Sequence, residues 1–329
     1  MAPPATPRSV PTFSGEVGAE RLGVTLIHEH VFVRHPELDV NLPHPEWHTG
    51  RAIETAVEGL SALYERGVRT IVDLTVPGLG RDVELVARVA ERSRVAIVAS
   101  TGYYTSDVLP HFFRTHGPDR LVGGPDPLLG MFVRDIEEGI AGTGIRAGMI
   151  KVVSDVEGIT LDVERVFAAA ATAHLRTGVP ITTHSHAASA GGRDQQRLLA
   201  RFGVPLDRVV IGHSGDSTDL AYLRELADKG SFLGFDRFGM EHVALDDDRI
   251  RTLVTLLREG YAERIVLSHD AAFFSRVTPP SWRARAVPHW HMQNIHTRVL
   301  PRLRAAGIDE RTIDTLLVDN PRRVLTGAA

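Results

Sequence analysis

The sequence lacks cysteine altogether, and its positive charges do not outnumber its negative ones. Without cysteine there can be no disulfide framework, no thiolate metal ligand and no cysteine nucleophile, so any metal ion must be held by histidine and carboxylate side chains. The 37 lysine and arginine residues stand against 41 aspartate and glutamate residues, a net charge of −4 that gives no electrostatic reason to expect nucleic acid as a partner.

Long apolar runs are also missing. No stretch, including the proline-rich residues 1–7, has the length of a signal peptide or a membrane span, so we expect a cytoplasmic protein that acts at no membrane. Apolar residues make up 43% of the chain and charged residues 24%, which suits a folded chain with a sizeable core. Histidine, by contrast, is plentiful, with 16 residues among 329.

Eight short apolar runs, typical of strands that are buried on both faces, alternate with segments of helical periodicity. The runs lie at residues 23–27, 69–72, 94–99, 147–150, 179–183, 208–212, 231–235 and 264–268. Helices are predicted between them, for example at 160–177 and at 217–229, where Ser217 is the expected N-cap. Strands that alternate with helices indicate a parallel sheet.

Eight such units predict an α/β protein with a closed (β/α)₈ TIM barrel, a single domain over residues 1–329. A doubly wound open sheet is the alternative, but it would need a glycine-rich phosphate loop after the first strand, where His28-Glu29-His30 stands instead. We expect residues 1–15 to be a poorly ordered extension. The long segment 271–290 is expected to be a lid loop.

Most of the predicted strands end in residues that can carry chemistry, and in a barrel these ends share one rim, where the active site lies. His28 and His30 are two positions apart on an extended chain, so both side chains point to the same side. Each residue alone has a structural explanation, such as a rim lysine or a helix cap. The candidate ligands on this rim are His28, His30, Lys151, His184, His213 and Asp270.

Four imidazoles and a carboxylate suit zinc foremost, and also iron, cobalt or manganese. Six ligands are more than one four-coordinate ion can use, so we predict two divalent metal ions. Two neighbouring cations need a bridging anion. Lys151 as an ammonium would repel them, whereas a neutral amine carboxylated by CO₂ would bridge them, and the apolar run before Lys151 favours the neutral amine.

The order of these ligands along the chain resembles that of the binuclear amidohydrolases. Local strings are similar to those of the phosphotriesterase family, and within it to the phosphotriesterase-like lactonases, over residues 16–325. These strings are Gly23–His30, Ile181–His184, Ile211–Asp216, Gly234–Gly239, Leu267–Asp270 and Asp319–Pro321. The resemblance implies that His28, His30 and Asp270 hold the more buried ion and that His184 and His213 hold the more exposed one.

The resemblance also implies that carboxylated Lys151 and a hydroxide bridge the two ions. Asp270 would accept a proton when the hydroxide attacks, and Tyr104 and Arg237 would orient the substrate and stabilise developing charge. His269 lies beside the assigned ligand Asp270, and we expect it to support this ligand from behind. His186 lies near the assigned ligand His184 and could face the pocket.

We therefore predict a metal-dependent hydrolase that opens lactones, especially the N-acyl-homoserine lactones of quorum sensing, with weaker turnover of organophosphate triesters. The alternatives are a dedicated phosphotriesterase (aryldialkylphosphatase) or general esterase on the same metals and, in another class, a non-enzymatic metal-binding barrel. The resemblance also leads us to expect a homodimer.

Overall fold

Parallel strands alternate with helices along residues 9–327, the part of the chain that the computed structural model describes. The strands are β1 (Ser9–Thr12), β2 (Gly15–Gly18), β3 (Val24–Val33), β4 (Val68–Asp73), β5 (Ala96–Gly102), β6 (Ala147–Val153), β7 (Ile181–His184), β8 (Val209–Ile211), β9 (Phe232–Phe235), β10 (Ile265–Leu267) and β11 (Ala272–Ser275).

The helices lie mostly between consecutive strands. They are α1 (Pro36–Asn41), α2 (Thr49–Glu65), α3 (Val83–Ala90), α4 (His111–Thr115), α5 (Pro127–Glu137), α6 (Leu161–Thr177), α7 (Gly192–Arg201), α8 (Leu220–Asp228), α9 (Asp246–Arg258), α10 (Pro280–Ala286), α11 (Leu300–Ala305), α12 (Glu310–Asp314) and α13 (Asn320–Thr326), with π-helical turns at Ile295–Val299 and Thr315–Asp319. Within residues 9–327, no helix is both long and apolar enough to cross a bilayer.

The strands from β3 to β10 pair in chain order and close into a barrel. Closure occurs just beyond β10, where the backbone N–H of Asp270 donates to the carbonyl of His28 (3.0 Å) and the N–H of His30 donates to the carbonyl of Ala271 (2.8 Å). The predicted (β/α)₈ barrel is therefore confirmed, and the open-sheet alternative is wrong. The eight predicted apolar runs correspond to the eight barrel strands.

Two apolar layers hold the barrel together, one inside it and one between the strands and the surrounding helices. Side chains alternate between these layers along each strand, as the period of an extended chain requires: Ile71 packs outward and Val72 inward. The inner layer consists of Val10, Leu22, Ile27, Val72, Leu74, Val98, Met149, Val210, Phe232, Val266, Val324 and Leu325.

The expected N-terminal extension is wrong for residues 9–15. There β1 pairs with β2 in an antiparallel hairpin, and the side chain of Val10 is buried in the inner layer of the barrel. The N–H of Phe13 also donates to the carbonyl of Ile97 (2.9 Å). Burial of alternate residues therefore orders this segment, although it is short and contains Pro11. Residues 1–8 of the predicted extension lie outside the described residues.

Two helix predictions have different outcomes. Helix α6 begins after Thr160, whose side chain caps it, and ends at Gly178 with φ +76°, as predicted. Helix α8 begins later than predicted, because the carboxylate of Asp219 accepts two backbone N–H groups of its first turn. Ser217 is therefore not the N-cap, and its hydroxyl oxygen accepts the N–H of Asp219 instead (3.1 Å).

The segment 271–290 contains regular structure in place of a simple loop. Strand β11 pairs in parallel with the outer part of β3, with Ala272 opposite His30 and Phe274 opposite Phe32. Helix α10 follows before Trp290. Because β11 is hydrogen bonded to the strand that carries His28 and His30, the first part of the predicted lid is anchored beside these residues.

Candidate active site

A cavity of about 340 Å³ opens at the C-terminal ends of the barrel strands. The structure brings all the predicted site residues to its wall: His28, His30, Tyr104, Lys151, His184, His213, Arg237 and Asp270. The remaining wall is largely apolar and is formed by Val33, Leu79, Met240, Ala272, Val277 and Trp290 among others. A polar cluster and an apolar wall therefore share one cavity.

Strand β3 places its two histidines inside the barrel and sends Glu29, between them, to the opposite face. The carboxylate of Glu29 is completely buried, and it accepts the hydroxyl of Ser268 (2.8 Å), the Nδ1–H of His269 (2.6 Å) and the N–H of Ala271 (3.1 Å). These bonds fix the segment around Asp270. His269 thus supports the site from behind, as predicted.

Two candidate ligands have left-handed backbone conformations, His213 with φ +63° and Asp270 with φ +51°. Such conformations are unfavourable for residues other than glycine and occur often at functional sites. Hydrogen bonds hold both in place: the N–H of His213 donates to Asp236 (2.8 Å), and that of Asp270 donates to His28 (3.0 Å). In each case the backbone strain aims the side chain at the cavity.

Asp236 orients two imidazoles at once. Its buried carboxylate accepts the Nδ1–H of His28 (2.8 Å) and the Nδ1–H of His213 (2.9 Å). Burial alone would raise the pKa of Asp236, but His28, Lys151 and Arg237 together outweigh it and the pKa is lowered, so the carboxylate is ionised. The Nε2 atoms of both rings are consequently unprotonated and face the other candidate ligands, as metal ligation requires.

His30 is oriented in the same way through a hydroxyl. The hydroxyl of Thr75 donates to Asp73 (2.6 Å), so its oxygen accepts the Nδ1–H of His30 (2.9 Å). The Nε2 atom of His30 then faces Oδ1 of Asp270 at 3.0 Å. Because the carboxylate and the bare imidazole nitrogen are both acceptors, their approach favours a cation between them.

His184 presents the opposite nitrogen. Its Nε2–H donates to Asp155 (2.9 Å), which leaves Nδ1 bare at 3.0 Å from Nε2 of His213. Burial lowers the pKa of His184 to about 4 and that of His213 well below its ordinary value, so both rings are neutral. Two lone pairs at this distance repel each other. This donor set fits a metal ion that accepts both.

Lys151 lies at the floor of the cavity and is almost completely buried. Its Nζ atom is 3.1 Å from Nε2 of His28 and 3.3 Å from the carbonyl of Thr183. Desolvation lowers the pKa of the amine to about 8, so a substantial fraction is neutral near physiological pH. A neutral amine is the form that reacts with CO₂.

Among residues 9–327, two groups of three side chains have ligand atoms within 4.8 Å of one another. The first, His28, His30 and Asp270, directs its atoms into the cavity and could hold a metal ion. The second combines His28 and His213 with Asp236. Its closest contacts are the Nδ1 hydrogen bonds described above, so we interpret Asp236 as the carboxylate that orients these two ligands.

Arg237 and Tyr104 complete the polar part of the wall. The Nε–H of Arg237 donates to Asp270 (3.1 Å) and its Nη1 donates to Asp216 (3.0 Å). Burial opposes the charge of Arg237, but these two carboxylates raise its pKa. The ring of Tyr104 packs edge-on against His184, and burial raises its pKa to about 12, so the phenol is a hydrogen-bond donor.

Several residues of the site have roles that the sequence does not reveal. Asp236 was visible within a family string, and Glu29 lay between two candidates, but neither had a role assigned. Asp155 and Thr75 stand in polar loops without any distinctive spacing. His186, expected to be able to face the pocket, contacts Ser189 (2.9 Å) and is absent from the cavity wall.

Comparison with known proteins agrees with this geometry. The family model described as "Phosphotriesterase family" matches residues 8–325. The chain belongs to the phosphotriesterase family. Members of this family are hydrolases with binuclear metal sites, and with its cluster of histidine and aspartate ligands this family member is a metal-dependent hydrolase.

Individual relatives match along nearly the whole chain. A "phosphotriesterase homology protein" of Mycobacterium tuberculosis is 46% identical over 95% of this chain and 96% of its own. An "aryldialkylphosphatase" of Saccharolobus solfataricus is 36% identical over 93% of this chain and 96% of its own. The solved phosphotriesterase structure from M. tuberculosis superposes with a TM-score of 0.94 at 46% identity, over 96% of this chain and 98% of that chain.

Proposed function

We propose that this phosphotriesterase-family hydrolase opens lactones, N-acyl-homoserine lactones above all, and that organophosphate triesters are weaker substrates. The observation that carries the proposal is that the cavity is lined both by the polar ligand cluster and by a largely apolar set of side chains. An acyl-homoserine lactone matches this lining, because a polar ring and amide are joined to a single apolar chain. A triester instead spreads three arms from one centre.

The proposed ligand roles follow from the free nitrogen atoms. His28 and His30 converge on Asp270 and would hold one divalent ion, while His184 and His213 present facing lone pairs to the other. Carboxylated Lys151 would lie between them, since its Nζ already contacts His28 from the floor of the cavity. Zinc is the first candidate for both ions, because imidazole and carboxylate ligands suit it.

When bound, two divalent ions supply an acidified water and polarise the ester carbonyl. Asp270 then takes the proton from the attacking water and returns it to the alkoxide that leaves as the ring opens, which yields a hydroxy acid. Burial opposes the charge of Asp270, but His28, His30, His213 and Arg237 together lower its pKa and keep it ionised, and Arg237 also holds the carboxylate in position through its Nε–H. The protonated phenol of Tyr104 donates to oxygen atoms of the substrate on the His184 side.

A second candidate function is that of a dedicated phosphotriesterase. The aryldialkylphosphatase of S. solfataricus, which is 36% identical to this chain, favours it. The same metal ligands would serve a phosphoryl centre, so the ligand set does not separate the two functions. The apolar wall and its fit to a single chain favour the lactone.

The deciding experiment compares kcat/KM for acyl-homoserine lactones of increasing chain length, an aliphatic lactone and paraoxon. We expect the acyl-homoserine lactones to have the highest values and to improve with chain length. Triester turnover that equals or exceeds lactone turnover would reverse the order of the two functions. Failure to hydrolyse any of these compounds would favour the non-enzymatic barrel.

A pair of variants tests the role of the apolar wall. Val277 lines the cavity and is otherwise exposed, so Val277→Ser should reduce the preference for long acyl chains and leave short-chain turnover unchanged. Val243 is exposed but is not part of the cavity wall, and Val243→Ser is the matched control. If both variants had the same chain-length profile, the apolar side chain of Val277 would not contribute to acyl-chain binding.

We also propose that the enzyme is a cytoplasmic homodimer. The resemblance to the lactonases is the reason for this expectation, and the exposed apolar residues Val40 and Leu42 around helix α1 are compatible with a contact surface. Light scattering of the purified protein tests it, and a monomer mass at micromolar concentration would contradict it.

A further inference from the structure

Behind Arg237, a network of buried charges runs away from the cavity into helix α9. Arg249, on the first turn of that helix, is 1% exposed, and its guanidinium donates to Oδ1 of Asp216 through Nε (3.0 Å) and Nη2 (2.6 Å). The other oxygen of Asp216 accepts Nη1 of Arg237 (3.0 Å). Asp216 therefore joins two arginines, one in the cavity wall and one in the interior.

All the donors of Arg249 are used. Besides Asp216, it contacts the carbonyl of Ala244 (2.7 Å), Oδ1 of Asp246 (3.1 Å) and the carbonyl of Met240 (3.4 Å). These five contacts equal the number of N–H groups on a guanidinium. A lysine could not replace them, since its ammonium has three donors and no planar fork.

Asp246 connects this network to Asn294, in the segment that follows the predicted lid. Its carboxylate accepts the N–H of Gly239 (2.9 and 3.0 Å) and the side-chain amide of Asn294 (3.2 Å). The same amide donates to the carbonyl of His289 (2.8 Å). Gly239 has φ +91°, and a Cβ atom there would lie only 2.3 Å from the carbonyl oxygen of His289, so these two chain segments are in tight contact.

Three residues of the cavity wall are thus connected to one interior arginine. Arg237 is reached through Asp216 and Met240 through its own carbonyl, and Trp290 directly follows His289, whose carbonyl is held by Asn294 and, through it, by Asp246. They lie on two separate loops, and the described contacts give them a shared anchor in helix α9. A buried guanidinium between two carboxylates holds such loops rigidly, because its removal would leave two buried anions with less compensation.

We infer that Arg249 is a positioning residue for substrate binding and turnover. It acts through Asp216 on Arg237, through its own hydrogen bond on Met240, and through Asp246 and Asn294 on the segment that carries Trp290. It touches neither substrate nor metal ligand. This inference rests on the hydrolase activity of the chain and on no particular substrate. Any ester that the wild-type enzyme hydrolyses therefore serves in the test.

The test compares Arg249→Met and Arg249→Lys with the control Arg251→Met, on the same helix, where Arg251 is exposed and pairs with Asp248. We expect Arg249→Met to retain its metal content but to lose at least tenfold in kcat/KM, with a raised KM as well as a lowered kcat. Arg249→Lys should recover part of the loss. Arg251→Met should behave as wild type.

A spectroscopic signal separates positioning from mere stabilisation. The chain has three tryptophans, so 5-fluorotryptophan labelling gives three ¹⁹F resonances, assigned by single tryptophan-to-phenylalanine variants. The Trp290 signal should shift or broaden in the Arg249 variants, while the Trp47 signal stays in place. A lower melting temperature with unchanged KM, kcat and Trp290 signal would show that Arg249 is only structural.

A double-mutant cycle tests the route through Asp216. If Arg249 acts on Arg237 through that carboxylate, Asp216→Asn and Arg249→Met should lose less activity together than the product of their separate losses. Independent effects would overturn this route. Should Arg249→Met fail to fold, Arg249→Lys and Asp246→Asn decide the matter by the same criteria: an unchanged KM, kcat and Trp290 signal in both would refute the inference.

Discussion

The two sides of the ligand cluster use the same hydrogen bond in different surroundings. On one side, Asp236 is completely buried and orients both His28 and His213. On the other side, Asp155 orients His184 alone, and one third of its side chain is exposed. The contact distances are nearly equal, from 2.8 to 2.9 Å, so distance does not distinguish the two sides.

The difference lies in the dielectric surroundings of each carboxylate. A buried ionic hydrogen bond is electrostatically stronger than one that water can replace. Asp236 has no access to water, and the loss of its charge would release two imidazoles at once. Asp155 can exchange its bond to His184 for water. We therefore expect a rigid half of the site, where His28, His30 and Asp270 would hold one ion, and a more adaptable half, where His184 and His213 would hold the other. His213 shares Asp236 with His28, so the adaptability comes from His184 alone, and the affinities for the two ions should be unequal.

The largest expected effect comes from Asp270, which belongs to the rigid half and also serves as the proposed proton acceptor. Asp270→Asn should lower kcat by ~1,000-fold or more, since general acid–base catalysis alone contributes ~100- to 10,000-fold. Steady-state kinetics and elemental analysis of the same preparation measure this. Loss of metal alone, with activity restored by excess metal, would contradict the proton-transfer role.

Lys151 lies between the two halves, and Lys151→Ala should lose most of the metal and most of the activity. A short-chain carboxylic acid added to this variant should restore part of the activity by replacing the bridge. The only other lysine in the chain is Lys229, so Lys229→Ala is a matched control. Full metal loading and near-normal turnover of Lys151→Ala without added acid would remove Lys151 from the site.

The carbamate itself can be observed directly. With only two lysines, protein loaded with ¹³C-bicarbonate should give one carbamate resonance that is lost in Lys151→Ala and kept in Lys229→Ala. Burial lowers the pKa of Lys151 to about 8, so its neutral fraction rises with pH up to and through that value. Reconstitution of metal-free enzyme at a fixed concentration of dissolved CO₂ should accelerate in the same range. A rate that falls as pH rises toward 8 would contradict this.

Substitution of each orienting carboxylate, Asp236 and Asp155, tests whether the two halves of the site differ in metal affinity. Asp236→Asn should weaken metal affinity by ~10- to 100-fold, the usual effect of losing a partner that orients a ligand. Asp155→Asn should have a several-fold smaller effect, because water can take the place of its carboxylate. Competition with a chromophoric chelator measures both affinities. A larger loss for Asp155→Asn would reverse our ranking of the two halves.

The smallest effect is expected at Tyr104, which packs against the adaptable half. Tyr104→Phe keeps the ring on His184 and removes only the hydroxyl donor, so kcat/KM should fall about fivefold, equivalent to a hydrogen bond of about 1 kcal/mol. Metal content should not change. An unaltered kcat/KM for every substrate would show that Tyr104 only packs against the ligand.

Features that depend on a repeated sequence pattern could be predicted, whereas features that depend on which side chains are buried could not. Eight apolar runs with polar ends were enough to predict the barrel and to bring His28, His184 and Asp270 to one rim. Asp236 and Arg249 could not be assigned roles in this way, because nothing in the neighbouring residues shows that their charges are buried. The hairpin at Val10 was missed for the same reason, since its partner layer comes from distant strands.

Metal stoichiometry tests the central claim most directly. Elemental analysis of fully active enzyme should give about two metal ions per chain, and chelation should remove them in two stages, with the ion bound by His184 and His213 leaving first. Asp155→Asn should accelerate that first stage, while the control Asp194→Asn, at a surface ion pair with Arg197, should not. Fully active enzyme that contains about one ion per chain would contradict the binuclear site.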